Sequence, residues 1–349
     1  MKKIFFIFSI FLVLQGCKKH DQQPTSTDWI RISNRVQMKE SGDVFELKSG
    51  RFSYKIPHSK LPFKRVIFLN ASLIGYVAEL GREDRIVGVS SPEYIYSESI
   101  LNLIKQEKIQ NVGNEQKYDV ERIITLKPDA VFTNRIESFQ NTYDVLNKNG
   151  IEVIFLDEYL EQAPLEKMAY LKVFGKLLGM DKAAEVRAGE IASEYDRLKL
   201  LASGSTQKPS VLANEMYGNQ WFMPGGKTFV AHYIKDAGAR YILAQNNDEN
   251  AVPMSFEEVY AQSKDATVWV NVGNHQSKSE LLAINPNYAK MNVYQNGKLY
   301  AVTAKEKGRA NDYFESGVVR ADLVLKDYIT IFHPELLPNY QLTYMEELK

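Results

Sequence analysis

The chain has 349 residues, no formal net charge at pH 7 and 44% hydrophobic residues. That is enough for about two globular domains, and the balance of charge argues against nucleic acid or an anionic surface as the main partner. A single cysteine excludes an internal disulfide, and five histidines with no H-x-x-x-H pair and no His-rich loop give no reason to expect zinc or manganese capture.

The chain opens on a targeting pattern. Lys2 and Lys3 precede an apolar stretch at 4–14, too short to span a bilayer and of the right length for a secretory signal. It ends in Leu14-Gln15-Gly16-Cys17, which resembles a bacterial lipobox. Small Gly16 suits a peptidase pocket, and the Cys17 thiol is the group that accepts lipid. The expectation is a signal peptide over 1–17 and an extracytoplasmic chain, lipid-anchored at Cys17 to a bacterial membrane (on the periplasmic side if the cell is Gram-negative) with its body in water. Polar residues 18–28 read as a tether. A tether and short β segment are expected over 18–62, including a hairpin at F-E-L-K-S-G-R-F-S-Y. No function is assigned to 29–57.

From Arg65 the pattern becomes α/β. R-V-I-F-L reads as a buried strand, 73–80 as a helix ending at Gly81, and R-I-V-G-V as a second strand. A helix follows Asp119, then a Lys127-Pro128-Asp129 turn and the strand A-V-F-T. A helix over 143–148 and the strand I-E-V-I-F-L complete an N-terminal lobe over 63–163. Pro164 opens a helical region that stops at Gly179. Asp181 then caps a helix of about 20 residues, or about 30 Å; residues 164–203 are thus helical. The C-terminal lobe, 204–349, repeats the logic. It offers strand P-S-V-L-A, helix 229–236, a helix from Ser255, strand A-T-V-W-V, a short helix at 288–294, strand K-L-Y-A-V and a last amphipathic helix over 316–332. Strands alternating with helices predict two Rossmann-like α/β lobes with mostly parallel sheets, joined by one long α-helix. Ligands in such lobes sit beyond the C-terminal strand ends, in a cleft between the lobes.

One unit occurs twice. Residues 119–131 read D-V-E-R-I-I-T-L-K-P-D-A-V, and 255–268 read S-F-E-E-V-Y-A-Q-S-K-D-A-T-V. Each has Glu two places after a capping residue (Glu121, Glu257), and Asp-Ala eight places after that Glu. Acidic residues in a first turn favour the helix dipole, and Ser255 with Glu258 makes a capping box.

Lipobox, paired lobes, single long helix and twinned Glu helices together resemble the helix-linked class of ABC-transporter substrate-binding lipoproteins. That family serves uptake of ferric siderophores, haem and cobalamin. V-E-R-I-I-T-L-K-P-D-A-V, S-F-E-E-V, R-I-V-G-V-S-S and N-D-Y-F-E-S-G-V-V-R-A-D-L-V-L-K-D carry the resemblance, over about residues 63–340. It implies that Glu121 and Glu257 dock on arginines of a permease dimer, which works with its ATPase. It further implies a small-molecule metal chelate as ligand, most readily a ferric siderophore, with cobalamin or haem as the alternative. A non-transport surface lipoprotein or an enzyme on the same fold is the other reading. A monomer without a resident cofactor is expected. A single helical bridge should permit only small lobe movements.

Loops after strands supply the candidate ligand contacts: Asn70; Tyr94 and Tyr96; Asn134 and Arg135; Trp221 and Phe222; His275; Arg309. Rings give contact area to a large flat ligand, and arginine gives bidentate charge-assisted bonds to an anionic one. Tyr94 or Tyr96 has the chemistry of a haem-iron ligand, and His275 that of a single axial ligand. Gly225-Gly226-Lys227-Thr228 ends like a phosphate loop but has Trp221 where the first glycine must stand, so a turn opening a helix is expected. No catalytic motif such as G-x-S-x-G, H-E-x-x-H or G-x-G-x-x-G is present, and no enzyme activity is expected.

Overall fold

The computed structural model describes residues 28–349. Cys17, the signal segment and most of the tether lie outside the described residues. Among the described residues no helix is long and apolar enough to cross a membrane.

The first structure is an antiparallel meander of Ile30–Arg31, Val36–Ser41, Val44–Ser49 and Phe52–Pro57 in sequential order. Its turns contain Gly42 and Gly50, both at positive φ. Alternation places Val36, Phe45, Leu47, Tyr54 and Ile56 in the common core. The expected hairpin is the last pair of this sheet. Two polar contacts lock the sheet to the first lobe. The Tyr54 hydroxyl accepts the Phe155 amide at 2.8 Å, and buried Glu161 accepts the Ser33 hydroxyl at 2.5 Å and the Tyr170 hydroxyl at 3.0 Å.

In the first lobe the apolar runs form strands Val66–Phe68, Ile86–Val89, Gln110–Asn111, Ala130–Thr133 and Glu152–Phe155. All pair in parallel, and the order across the sheet is 152, 130, 66, 86, 110 by first residue. Strands buried on both faces are what helices on either side require. The second lobe has Ser210–Ala213, Arg240–Tyr241, Val268–Val270 and Lys298–Ala301, in the order 298, 268, 210, 240, with Glu346–Glu347 antiparallel at the edge beyond 298. Over these parallel strands the two orders coincide. The sequence repeat thus marks equivalent helix–strand units, Val120–Thr125 with Ala130–Thr133 and Phe256–Gln262 with Val268–Val270. In the first copy Asp129 also acts locally. Its Oδ2 accepts the amides of Lys64 and Arg65 at 2.7 and 2.9 Å, fixing the start of the central strand.

One helix, Asp181–Ser203, joins the lobes. Its 23 residues span about 34 Å at 1.5 Å per residue. The buried residues Ala184, Ala188, Ile191, Tyr195, Leu198 and Ala202 recur at alternating steps of four and three, one stripe along the helix. Asp181 is the first helical residue rather than the cap, which is Met180; Gly179 at φ +73 ends the preceding helix Tyr170–Leu178. Arg187 pairs with Glu79 of the first lobe at 2.6 Å. Tyr195 donates to Asp236 of the second lobe at 2.8 Å. The bridge is therefore tied to both lobes.

Two expectations change. The last helix is broken at Arg320 into Ser316–Val319 and Ala321–Phe332. Trp221 and Phe222, expected in a loop, belong instead to a small antiparallel sheet of Met216–Tyr217, Gln220–Pro224 and Ala251–Met254. Gly225 and Gly226 follow it because added Cβ atoms would come within 2.4 Å of Asp248 O and 2.2 Å of Asn246 O. Thr228 then caps helix Phe229–Asp236 through its side chain, so the glycines serve close packing and a helix start.

Candidate ligand-binding cleft

The loops beyond the C-terminal ends of the parallel strands meet between the lobes and enclose two cavities. One, of about 290 Å³, is lined mainly by polar residues, two of them carboxylates: Asn70, Ser72, Ser91, Tyr94 and Glu115 face Asn274, Arg309, Phe314 and Glu315. The other, of about 300 Å³, places Tyr159 and Leu160 of the first lobe against Asn214, Phe229 and Asn250 of the second.

Backbone strain collects at this face. Ser91, Asn214 and Asn271 hold positive φ of +48, +59 and +57, each just beyond a strand of the two lobes. Asparagine accepts the left-handed region readily; serine less so. Ser91 is 5% exposed, and its hydroxyl has no hydrogen-bond partner while its residue lines the polar cavity. Tyr118, Tyr143, Thr303 and Thr330 also bury hydroxyls without a partner, but of the five only Ser91 lines this cavity, where a ligand atom or water can satisfy it.

Arg309 reaches across the cleft to Tyr94. Its guanidinium lies 4.5 Å from the ring centroid and donates to the tyrosine hydroxyl. Beside it, Lys307 stands 4.7 Å over the Tyr96 ring and pairs with Glu98 at 2.6 Å. Glu315 closes the same seam from within: its carboxylate accepts the amides of Tyr96 at 2.7 Å and Ser97 at 3.1 Å. Burial pushes the Glu315 carboxyl up to about 7 against the pull of those two bonds, and nearby Asp312 adds to the rise.

Below the cleft lies a buried polar group that sequence reading did not single out. Glu158 accepts the Ser72 hydroxyl at 2.7 Å and the Asn134 amide at 3.1 Å. Burial raises its carboxyl, and burial lowers the amine of neighbouring Lys167. The Lys167 ammonium sits 3.9 Å over Phe229 of the opposite lobe. Glu158 opens the single turn Glu158–Leu160, and Lys167 lies in the short helix Pro164–Met168 that follows three residues later.

The candidates from sequence separate accordingly. Asn70, Tyr94 and Arg309 line the polar cavity. Tyr96 sits beside it in the seam. Asn134 is corrected to a positioning residue: it is buried, bonds Leu156 O at 2.6 Å and Glu158, and accepts from Asn70. Arg135 is corrected as well, because it lines a different cavity, between the lobe and the N-terminal antiparallel sheet. Trp221 is core: it is fully buried, its indole donates to Ala213 O at 3.2 Å, and it packs on Trp269 and Tyr288. Strand alternation turns Phe222 outward, 40% exposed, but it lines neither cleft cavity. His275 is bonded to Glu215 at 2.6 Å and is not poised as a free axial ligand. Among the described residues no group of three or more His, Cys, Asp or Glu is placed to hold a metal ion.

Glu121 and Glu257 occupy the second position of their helices, after Asp119 and Ser255, whose side chains cap them. Both are exposed, and neither carboxylate forms an ion pair or hydrogen bond with another of the described residues.

Two like-ordered α/β lobes on one rigid helix, with strained polar loops facing across a crevice, define a solute-binding architecture. The chain belongs to the periplasmic binding protein family, whose model matches residues 66–306; this is a family of solute-binding proteins of ABC importers. It is similar to an uncharacterized lipoprotein of Methanocaldococcus jannaschii, 24% identical over 79% of this chain and 66% of the relative. A cobalamin-binding protein of Halobacterium salinarum is 26% identical over 68% of this chain and 63% of its own length. The chain thus spans about two thirds of the length of these curated relatives. Among solved structures, a periplasmic heme-binding protein of Pseudomonas aeruginosa superposes with a TM-score of 0.60 at 20% identity, over 82% of this chain and 98% of that one.

Proposed function

We propose that the protein is a lipid-anchored substrate-binding protein that captures an iron complex, a ferric siderophore first, and delivers it to the permease of an ABC importer. The observation that carries this reading is the Arg309–Tyr94 pair set beside the unpartnered Ser91 hydroxyl in the polar cavity. A cation on a ring and an open hydrogen-bonding group suit the anionic, aromatic shell of a ferric chelate. In this reading recognition rests on that organic shell. The apolar half, with Tyr159 and Phe229, gives a flat surface for the rest of the ligand.

Recognition here breaks no bond. The lobes are already bridged at one seam, and the cation–π part of that bridge is worth about 0.5–1 kcal/mol at an exposed site. A ligand can displace such a contact at little cost. Glu121 and Glu257 then offer one free carboxylate on each lobe to arginines of the permease, and Cys17 supplies the anchor. A second reading, cobalamin in the same role, is favoured by the similarity to a cobalamin-binding relative. The absorbance spectrum of protein purified from its own cells separates the two. Ferric catecholate, haem and corrinoid absorb at distinct wavelengths, and a ferric chelate band is expected. A corrinoid spectrum would select the second reading, and protein that carries none of them and is stabilised by none would contradict both.

A further inference from the structure

One cavity lies apart from the two in the cleft. It measures about 700 Å³ and opens between the N-terminal antiparallel sheet and the edge of the first lobe. Four cations line it, Arg35, Lys48, Arg51 and Arg135, against the two carboxylates of Glu137 and Asp157. Those carboxylates are already engaged. Glu137 accepts Arg51 Nη2 with one oxygen and Arg135 Nη2 with the other, each at 2.8 Å. Asp157 accepts the Arg135 backbone amide at 3.0 Å. Neither Arg35 nor Lys48 pairs with these two carboxylates: Arg35 Nε is buried and unbonded, and the Lys48 ammonium rests 4.0 Å over the Trp29 ring. The pleat explains how these groups gather. Gln37 and Lys48 are cross-strand partners on one face, while Met38 and Leu47, the adjacent pair, turn to the core. A sheet present only to seal the lobe has no use for surplus positive charge on its other face.

We propose that this cavity is a second binding site, for an oxyanion carrying two or more negative charges, a polycarboxylate or a phosphate. Arg51 and Arg135 share the Glu137 carboxylate, one Nη2 each, and an oxyanion with two or more charges competes with that single carboxylate for their remaining donors. Arg35 and Lys48 supply the charge that the two lining carboxylates leave unbalanced. The site does not depend on what the cleft holds, since the only residue lining both this cavity and a cleft cavity is Leu160.

Isothermal titration of the full chain with citrate and, separately, with pyrophosphate, at about 150 mM salt to screen non-specific attraction, tests the proposal. One-to-one binding of at least one anion is expected. The tighter of the two assigns carboxylate or phosphate as the natural group. Arg35→Gln combined with Lys48→Gln should weaken binding roughly tenfold or more, while Arg309→Ala, in the cleft, leaves it unchanged. Melting curves establish that the double variant is folded; if it is not, Arg51→Gln, at a side chain 68% exposed, should weaken binding in the same direction. Absence of binding by both anions, binding indifferent to these variants, or binding abolished by Arg309→Ala would overturn the proposal.

Discussion

Trp221 and its neighbour Phe222 carry similar chemistry and opposite fates. Trp221 fills the second lobe against Trp269 and Tyr288, whereas Phe222 is turned out by the pleat. Trp221→Ala should cost about 3–5 kcal/mol of stability, read as a lowered melting midpoint; weaker ligand binding at undiminished stability would return it to the cleft. Sequence could name both residues but not divide them, because the division depends on a strand whose pairing partner, Ala251–Met254, is distant in the chain. Tyr94 and Arg309 were legible for the opposite reason: loops directly after strong strands leave few other places for them. Glu315 was not legible at all, since its role comes from burial against Tyr96 and Ser97 at a distant point of the chain. Its carboxyl titrates near 7 in the folded protein, against an ordinary value of 4.5 when unfolded. The folded state therefore holds the proton more tightly, so the contribution to stability is full below about pH 4.5 and disappears as pH rises through about 7. The melting midpoint of wild type minus that of Glu315→Gln should fall over that interval, and a flat difference would remove Glu315 as the titrating group.

At the level of elements, the central strands, the helix within each repeat and the linking helix follow from hydrophobic period and turn residues. Helix Phe229–Asp236 is an example: Thr228 caps it and Gly238 at φ +79 lies just past its end, so its limits are written locally. Helix Ser316–Val319 is different. It packs on helix Ile74–Glu79, and their closeness is set by Gly75, where an added Cβ would stand 2.2 Å from the Glu315 carbonyl oxygen. No local pattern announces such a contact, nor the break at Arg320. Gly75→Ala should destabilise the protein by about 1–3 kcal/mol, visible as a lower midpoint in urea. An unchanged midpoint would mean that the two helices are not held at this distance in solution.

Across the whole molecule, matching strand order in the two lobes turns a sequence echo into a geometric relation. Glu121 and Glu257 occupy the same position of equivalent helices, one per lobe, both exposed. For the proposed transporter, Glu121→Ala with Glu257→Ala should abolish ligand uptake by cells while leaving ligand binding and melting unchanged; intact uptake would refute docking through these carboxylates. In the proposed function the polar cavity between the lobes captures a metal chelate through Arg309, Tyr94 and Ser91. The most direct test is titration of the purified full chain with a ferric catecholate siderophore, haem and cyanocobalamin, followed by intrinsic fluorescence, for wild type and Arg309→Ala. Saturable one-to-one binding of the ferric chelate, weakened roughly tenfold or more in the variant, is the predicted result. Binding of none of the three, or binding that Arg309→Ala leaves untouched, would contradict it.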